Sequence, residues 1–128
     1  MKKAVRYFSK LGNTKTIAEA IAAGAGVQAI SIADEPALTE YVEILYLGGA
    51  PYANIMAPEL KAYAEKLEKS QVGKVRLFTT SNWSRRTVLA LKKRLRDKGI
   101  PVEDEYFYAH MLHIQGRTAA AQGFGRKA

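Results

Sequence analysis

The stretch that decides the fold is KKAVRYFSKLGNT, residues 2–14. An apolar run, Ala4 to Phe8, breaks into a polar turn that contains Gly12, and a helical pattern of apolar residues follows. This order predicts a strand, a tight loop and a helix. The unpaired N–H groups and the dipole at the start of a helix attract anions, so a phosphate suits this loop. Three side chains of the turn can add hydrogen bonds: Ser9, Asn13 and Thr14.

The composition excludes several classes of function. The chain has 128 residues, 48% of them hydrophobic, which predicts one domain spanning residues 1–128. No apolar run approaches the roughly 18 residues of a membrane span, and no signal-peptide core follows Lys2-Lys3, so we expect a soluble cytoplasmic protein. The chain contains no cysteine, which excludes disulfides, thiolate iron–sulfur ligation and a cysteine nucleophile. Any redox chemistry must therefore come from a bound organic cofactor.

The rest of the chain alternates between apolar strand patterns and helical patterns. Strands are predicted at residues 27–32, 42–47, 74–80 and 102–109, and helices start at Thr14, Asp34, Pro58 and Arg85. The first helix should end at Gly24 and Gly26, and the second, a brief one, near Tyr41. Three acids early in the last strand, residues 103–105, suit an edge. This alternation predicts an open α/β sandwich with a parallel sheet covered on both faces.

Three polar loops follow strands of this predicted sheet. The first contains the turn described above, the second runs from Gly48 to Asn54, and the third is Ser81-Asn82-Trp83-Ser84. Because the carboxyl ends of parallel strands meet at one edge of a sheet, the three loops should lie together and bind a ligand there.

With these loops in this order, the chain resembles the flavodoxins, small proteins that hold flavin mononucleotide (FMN) non-covalently and carry electrons. The resemblance covers about residues 2 to 109. The phosphate loop of that family reads Ser/Thr-x-Thr-Gly-Asn-Thr, and Ser9-Lys10-Leu11-Gly12-Asn13-Thr14 matches it except at Leu11. The resemblance implies a flavodoxin-like three-layer α/β/α sandwich whose five-stranded parallel sheet has the order 2-1-3-4-5.

The resemblance also implies an FMN site and the residues that form it. The phosphate would be held by the first loop: Ser9, Lys10, Leu11, Gly12, Asn13 and Thr14. The flavin ring would be held by the second and third loops: Gly49, Ala50, Pro51, Tyr52, Ala53, Asn54, Ser81, Asn82 and Trp83. Tyr52 and Trp83 fall at the family's two flavin-stacking positions. An electron carrier needs no catalytic residue, and we predict no metal site, because His110 and His113 lack further ligands of established proximity.

Three departures from the family pattern bear on function. Leu11 removes one phosphate-binding hydroxyl. Ala53 stands where the family usually has glycine, and it places a Cβ where a positive φ is wanted. The tail, residues 110–128, looks irregular or like a short helix, so one face of the sheet should be incompletely covered by helices. A homodimer would cover it.

The chain carries a net charge of +8, and much of it lies in one helix. Between Arg85 and Lys98 there are seven basic residues and one acid, Asp97. Such a patch can attract an acidic protein or nucleic acid by long-range steering, and the simpler interpretation is a solvated helix face.

Three functions remain open. The first, which we favour, is an FMN-binding electron carrier between redox partners with acidic surfaces, a flavin-dependent reductase among them. The second is an FMN-dependent reductase or oxidase, or an electron-delivering subunit of one. The third is a non-redox module that binds a nucleotide or nucleic acid through the basic helix. No Gly-x-Ser-x-Gly motif supports a serine hydrolase.

Overall fold

The computed structural model describes residues 1–53 and 55–127. In chain order, these residues form β1 (Lys3–Phe8), α1 (Asn13–Ala25), β2 (Ala29–Ser31), β3 (Val42–Gly49), β4 (Pro51–Tyr52), β5 (Ile55–Met56), α2 (Pro58–Lys66), β6 (Val72–Ser81), α3 (Arg86–Asp97), β7 (Val102–His110) and α4 (Thr118–Arg126). Short 3-10 turns lie at Lys69–Gln71 and Gln115–Arg117.

Five of these strands form one parallel sheet in the order β2-β1-β3-β6-β7. The two remaining strands, β4 and β5, form a small antiparallel hairpin beside it. When only the sheet strands are numbered, this is the predicted order 2-1-3-4-5, which is confirmed. β1 lies between β2 and β3, so the strand order reverses at β1. Such a reversal leaves a crevice at the carboxyl edge of the sheet.

Helices cover both faces of the sheet. On one face α2 and α3 pack their apolar side chains, Leu60 and Leu91 among them, against Leu45 and Leu77 of the central strands. On the other face α1 and α4 pack against Val5, Tyr46 and Phe78. The predicted three-layer α/β/α sandwich is therefore confirmed. The helices and the sheet share their hydrophobic cores, because the apolar face of each helix packs against apolar side chains of the sheet.

The helix predicted to start at Asp34 is not formed. The N–H groups of Asp34 and Glu35 both donate to the carbonyl of Ser31, which closes a turn directly after β2. The chain then runs irregularly to Val42 and buries Leu38 in the core. Forming the first turn of a helix is costly, and so short a segment has no further turns to recover that cost.

The tail forms a helix that covers the sheet. α4 has nine residues, and it buries Ala121 and Phe124 against the same face as α1. The Phe124 ring packs against Tyr46 and Phe107, with centroids 5.7 Å away in both cases. The expectation that one face of the sheet would be incompletely covered is wrong, so the argument for a homodimer loses its basis. The three-residue spacing of Ala121 and Phe124 was the signal for this helix.

A buried arginine fastens α4 to the sheet. The Arg76 side chain is 1% exposed and ion-pairs with Glu103 and Glu105 of β7. It also donates to the carbonyls of Phe124 (2.7 Å) and Lys127 (3.3 Å), where the carbonyl groups at the end of a helix attract cations. β7 is an edge strand as predicted, and its acids do more than protect the edge, because two of them neutralise Arg76.

Acid should loosen this attachment. Lys127 and Arg76 hold the pKa of Glu105 below its ordinary value of 4.5, and the Lys127 hydrogen bond is the largest cause. Since the folded pKa lies below the unfolded one, the stabilisation is complete above the unfolded pKa and is lost as pH falls through the folded pKa. Glu105 is half exposed, so we expect an effect of no more than about 1 kcal/mol.

Urea unfolding of the wild type and Glu105→Gln measures this effect. The wild type should be the more stable at neutral pH, and the difference in unfolding free energy should shrink as the carboxylate is protonated. A difference that stays constant from neutral pH to below the folded pKa would contradict this account.

Candidate functional site

The three loops predicted to meet do enclose one cavity at the carboxyl edge of the sheet. Its volume is about 240 Å³. The wall combines hydroxyl and amide groups with apolar side chains, and its residues are Ser9, Leu11, Asn13, Thr14, Ala50, Pro51, Tyr52, Thr80, Ser81, Asn82, Ser84 and Met111. A ligand here would contact the ends of β1, β3 and β6 and the start of α1.

The first loop is shaped by Gly12 and Ser9. Gly12 precedes α1 with a φ of 95°, a left-handed conformation that favours glycine. The Gly12 N–H donates to the Ser9 hydroxyl oxygen at 3.0 Å, which fixes the turn and leaves the Ser9 hydroxyl hydrogen for another acceptor. Among the described residues no side chain caps the start of α1, and the first turn of α1 has no acid. The loop and helix start therefore fit an anionic group.

Two buried threonines meet at the base of the cavity. The hydroxyls of Thr14 in α1 and Thr80 in β6 are 2.7 Å apart, and both residues are about 1% exposed. Two hydroxyls carry two hydrogens, and their mutual hydrogen bond uses one of them. The pair therefore retains one hydrogen for a ligand in the cavity that both residues line.

Tyr52 connects the second loop to the first. The Lys10 backbone N–H donates to the Tyr52 hydroxyl oxygen at 2.8 Å, and the Lys10 ammonium lies over the Tyr52 ring, 4.6 Å from its centroid. The ring also meets Phe8 edge-on. Tyr52 lines the cavity, and its hydrogen bond with Lys10 makes its position depend on the first loop.

Trp83 lies outside the cavity wall. Its side chain is 74% exposed and rests edge-on against the His110 ring, with the centroids 4.7 Å apart. Its backbone N–H donates to the Tyr108 hydroxyl at 3.0 Å. The Arg85 guanidinium lies over the same Tyr108 ring, 3.3 Å from the centroid. Arg85 thus packs beside the loop rather than along the basic helix face.

A hydrogen bond from His110 orients the Asn82 side-chain amide. His110 Nε2 lies 2.8 Å from Asn82 Oδ1, and His110 Nδ1 accepts a hydrogen bond from the Leu112 backbone N–H at 3.1 Å. A backbone N–H can only donate, so Nδ1 of the neutral ring has no hydrogen and Nε2 donates to Asn82. The oxygen of the Asn82 amide is thereby occupied, and its NH₂ group remains for a ligand.

We therefore expect the neutral His110 ring to carry its hydrogen on Nε2. The nitrogen chemical shifts of the two ring nitrogens, measured by NMR in the neutral form, report this tautomer directly. His113 is exposed and serves as the comparison in the same spectrum. A hydrogen on Nδ1 would remove the basis for the Asn82 orientation.

Backbone strain is concentrated in these loops. Among the described residues, the only non-glycine residues with positive φ are Ala53, at 51°, and Trp83, at 76°. Each lies in one of the loops beside the cavity. Left-handed backbone costs such residues about 1–2 kcal/mol, and strain of this kind clusters at functional sites. The interpretation that position 53 adopts a positive φ is confirmed.

Ala53→Gly should therefore stabilise the protein. Glycine removes a left-handed penalty of about 1–2 kcal/mol and adds a smaller unfolded-state entropy cost, so we expect a net gain of about 1 kcal/mol in the free energy of unfolding, measured with urea. Ala50→Gly is the matched control in the same loop. Its backbone is not left-handed, so glycine there should only add unfolded-state entropy and destabilise. Equal effects at the two positions would show that φ is not the cause.

The structure brings most of the predicted site residues together. Nine of them line the cavity: Ser9, Leu11, Asn13, Thr14, Ala50, Pro51, Tyr52, Ser81 and Asn82. Lys10, Gly12, Gly49 and Ala53 belong to the same loops without lining it, and Trp83 lies outside the wall. Asn54 falls outside the described residues. The prediction missed Thr80, Ser84 and Met111, and Thr80 carried a signal as a hydroxyl residue at the end of a strand.

A metal site and a membrane-crossing helix are not found in the described part of the chain. His110 and His113 pack ring to ring, with centroids 5.5 Å apart, but residues 1–53 and 55–127 contain no group of three or more metal-ligating side chains. None of the helices in those residues has the length and apolar character to cross a bilayer.

Comparison with solved structures finds the same fold in flavodoxins. An archaeal flavodoxin superimposes with a TM-score of 0.81 at 22% sequence identity, covering 98% of this chain and 94% of its own. Oxidised flavodoxin 1 from Bacillus cereus superimposes with a TM-score of 0.77 at 18% identity, covering 96% of this chain and 94% of its own. The fold is flavodoxin-like.

The flavodoxin-like fold also matches part of a larger oxidoreductase. Rubredoxin oxygen:oxidoreductase from Desulfovibrio gigas superimposes with a TM-score of 0.73 at 14% identity, over 98% of this chain and 35% of the other. No protein-family model and no curated protein sequence matches the chain.

Proposed function

We propose that the protein binds FMN at this cavity and carries electrons between redox partners. The observation that carries the proposal is the geometry of the first loop: a left-handed Gly12 leads into a helix with no side-chain cap and no acid in its first turn. The start of a helix attracts anions, and this one opens on a cavity that the two other loops line. The flavodoxin-like fold supports the same ligand.

The residues present fit a phosphate at one end of the cavity. The N–H groups of Asn13 and Thr14, the Ser9 hydroxyl and the free hydrogen of the Thr14–Thr80 pair would hold it. Lys10 would add a positive charge. Together these groups would replace the hydroxyl that Leu11 removes.

The remaining cavity residues would hold and orient the flavin ring. Tyr52 supplies an aromatic wall, and the Asn82 NH₂ group can donate to a polar edge of the ring. Trp83 is exposed next to this opening, and its stacking on the flavin stays a prediction. FMN itself supplies the electron-transfer chemistry, so the protein has to bind, orient and shield it and needs no acid or base.

The experiment compares FMN with riboflavin, which lacks the phosphate. Apoprotein titrated with FMN should quench the flavin fluorescence with a dissociation constant below micromolar, and riboflavin should bind at least about tenfold more weakly. Equal affinity for FMN and riboflavin would contradict a phosphate site in the first loop. No binding of either at micromolar concentration would defeat the proposal.

A second candidate is an electron-delivering component of a larger oxidoreductase. The superposition with about a third of rubredoxin oxygen:oxidoreductase favours it, because the fold occurs there within a longer chain. Both candidates need the same FMN site and differ in the partner. Steady-state turnover of FMN-loaded protein with a small acceptor, without any added protein, would speak against both and for a stand-alone reductase.

A further inference from the structure

A shallow groove lies next to the cavity, between the β4–β5 hairpin and α3. Its volume is about 470 Å³, and its lining residues are Ile55, Met56, Lys61, Arg86, Leu89, Ala90 and Arg94. The hairpin links the two sites, because Tyr52 of β4 pairs with Ile55 of β5. Whatever binds the groove would therefore lie one strand away from the FMN cavity.

The groove has an apolar floor that is open to solvent. The side chains of Ile55 and Leu89 are 60% and 56% exposed. Two aliphatic side chains exposed this far, facing one depression, are unfavourable in water unless something covers them. Met56 and Ala90 extend the same apolar surface.

The rim of the groove is positively charged. Lys61, Arg86 and Arg94 surround the floor, and among the described residues no carboxylate pairs with Lys61 or Arg86 within salt-bridge distance. Arg94 contacts Glu65 at 3.7 Å and keeps 42% of its side chain exposed. An acidic ligand would thus meet three cations around an apolar centre.

The other cations of α3 pair with the protein's own acids, and Lys98, just after α3, donates to the carbonyls of Ala64 and Glu65 at 3.2 and 2.6 Å. Lys92 and Arg96 both contact Asp104, at 3.9 and 2.9 Å, and Lys93 pairs with Asp97 at 3.1 Å. Nucleic acid binding needs a path of cations along the phosphate backbone, and these pairs interrupt it. The available charge is concentrated around the groove, where it surrounds exposed aliphatic side chains.

We infer that this groove docks an acidic protein segment that inserts an apolar side chain between Ile55 and Leu89 and places carboxylates against Lys61, Arg86 and Arg94. Its place beside the cavity makes it the contact surface for the electron donor or acceptor, a role that rests on the proposed function. Charge complementarity would steer the encounter, and burial of the aliphatic side chains would hold the complex.

The test uses a synthetic amphipathic helical peptide of leucine and glutamate as the probe. Fluorescence anisotropy gives its affinity, and amide shifts in NMR spectra locate it. We expect shifts confined to the β4–β5 hairpin, α3 and the adjoining part of α2. Arg86→Glu and Leu89→Ser should each weaken binding about tenfold, since one reverses a rim charge and the other removes the apolar floor.

Matched controls separate this surface from general charge attraction. Arg126→Glu makes the same charge change on α4, at the opposite face of the sheet, and should leave the affinity unchanged. A leucine–lysine peptide of the same length should not bind. The inference is overturned if Arg126→Glu weakens binding as much as Arg86→Glu, or if the lysine peptide binds equally well. Tighter binding of a single-stranded oligonucleotide or of phosphatidylglycerol vesicles at the groove would also overturn it.

The peptide assay is run on the protein as purified and again after FMN is added, so that the two proposals fail separately. Peptide binding without FMN binding would leave the docking surface standing and defeat the proposed function. FMN binding without peptide binding would contradict the docking surface and leave the proposed function supported.

Discussion

Gly125→Ala should destabilise the protein by about 3 kcal/mol, at the upper end of the cost of overpacking. A Cβ at this position of α4 would lie 2.0 Å from the Ile21 carbonyl oxygen of α1, a distance that real Cβ atoms do not reach. The obstacle is backbone, so no side-chain rotation relieves it. The two helices would have to separate, and Ala121 and Phe124 would lose their packing against the sheet.

Gly123→Ala is the matched control on the same helix. A Cβ there meets no neighbouring atom of the described residues within 4 Å, so alanine should stabilise α4 by about 0.5–1 kcal/mol through helix propensity alone. Urea midpoints give both free energies, and hydrogen exchange of the α4 amides shows whether the loss is local to that helix. Gly24→Ala should behave like Gly125→Ala, because its Cβ would lie 1.9 Å from the Gln122 carbonyl oxygen. Similar effects at positions 123 and 125 would contradict this close approach of α1 and α4.

These glycines have roles that a sequence pattern cannot distinguish. The sequence pattern predicts an end of α1 at Gly24 and Gly26, yet the helix continues through Gly24 to Ala25 and is capped by Gly26, whose φ is 75°. A glycine that stops a helix and a glycine that admits a neighbouring helix look alike in one sequence. Only the second depends on a partner about a hundred residues away, and no local pattern encodes that distance.

Arg76 illustrates the same limit in a strand. Its position within an apolar run predicted a strand, which is confirmed, and nothing local indicated that its guanidinium would be buried. Its ion-pair partners come from β7 and its carbonyl partners from the end of α4, so these contacts form only after both elements have packed against β6. Local rules account for the acids at 103–105 only as protection of an edge, whereas Glu103 and Glu105 also pair with Arg76.

The candidate site was more predictable than the tail because its parts are local. The turn from Ser9 to Thr14 contains its own glycine and donors, and the sheet order follows from strands that alternate with helices. What the sequence could not supply was the approach of side chains from different loops. The Tyr52 hydroxyl on the Lys10 N–H and His110 behind Asn82 are examples, since each pair joins segments more than twenty residues apart.

Thr14→Val is the second change with a large expected effect, this time on FMN binding. Valine keeps the shape of threonine and removes the hydroxyl that meets Thr80 at 2.7 Å. If the pair donates its free hydrogen to the FMN phosphate, the affinity should fall about ten- to hundredfold, the cost of losing a hydrogen bond to a charged group. Thr80→Val should have the smaller effect, because the Thr14 hydroxyl keeps its own hydrogen and can still donate it, and the double variant should cost little more than Thr14→Val alone.

Thr87→Val and riboflavin make this prediction specific. Thr87 is also about 1% exposed, and its hydroxyl has no hydrogen-bond partner among the described residues, so valine there should raise stability by about 1 kcal/mol and leave FMN affinity unchanged. Riboflavin has no phosphate, so its weaker affinity should be the same in Thr14→Val and the wild type. If Thr14→Val weakens FMN and riboflavin by the same factor, the hydroxyl pair supports the loop and does not bind the phosphate. A loss confined to FMN would identify the start of α1 as the phosphate site.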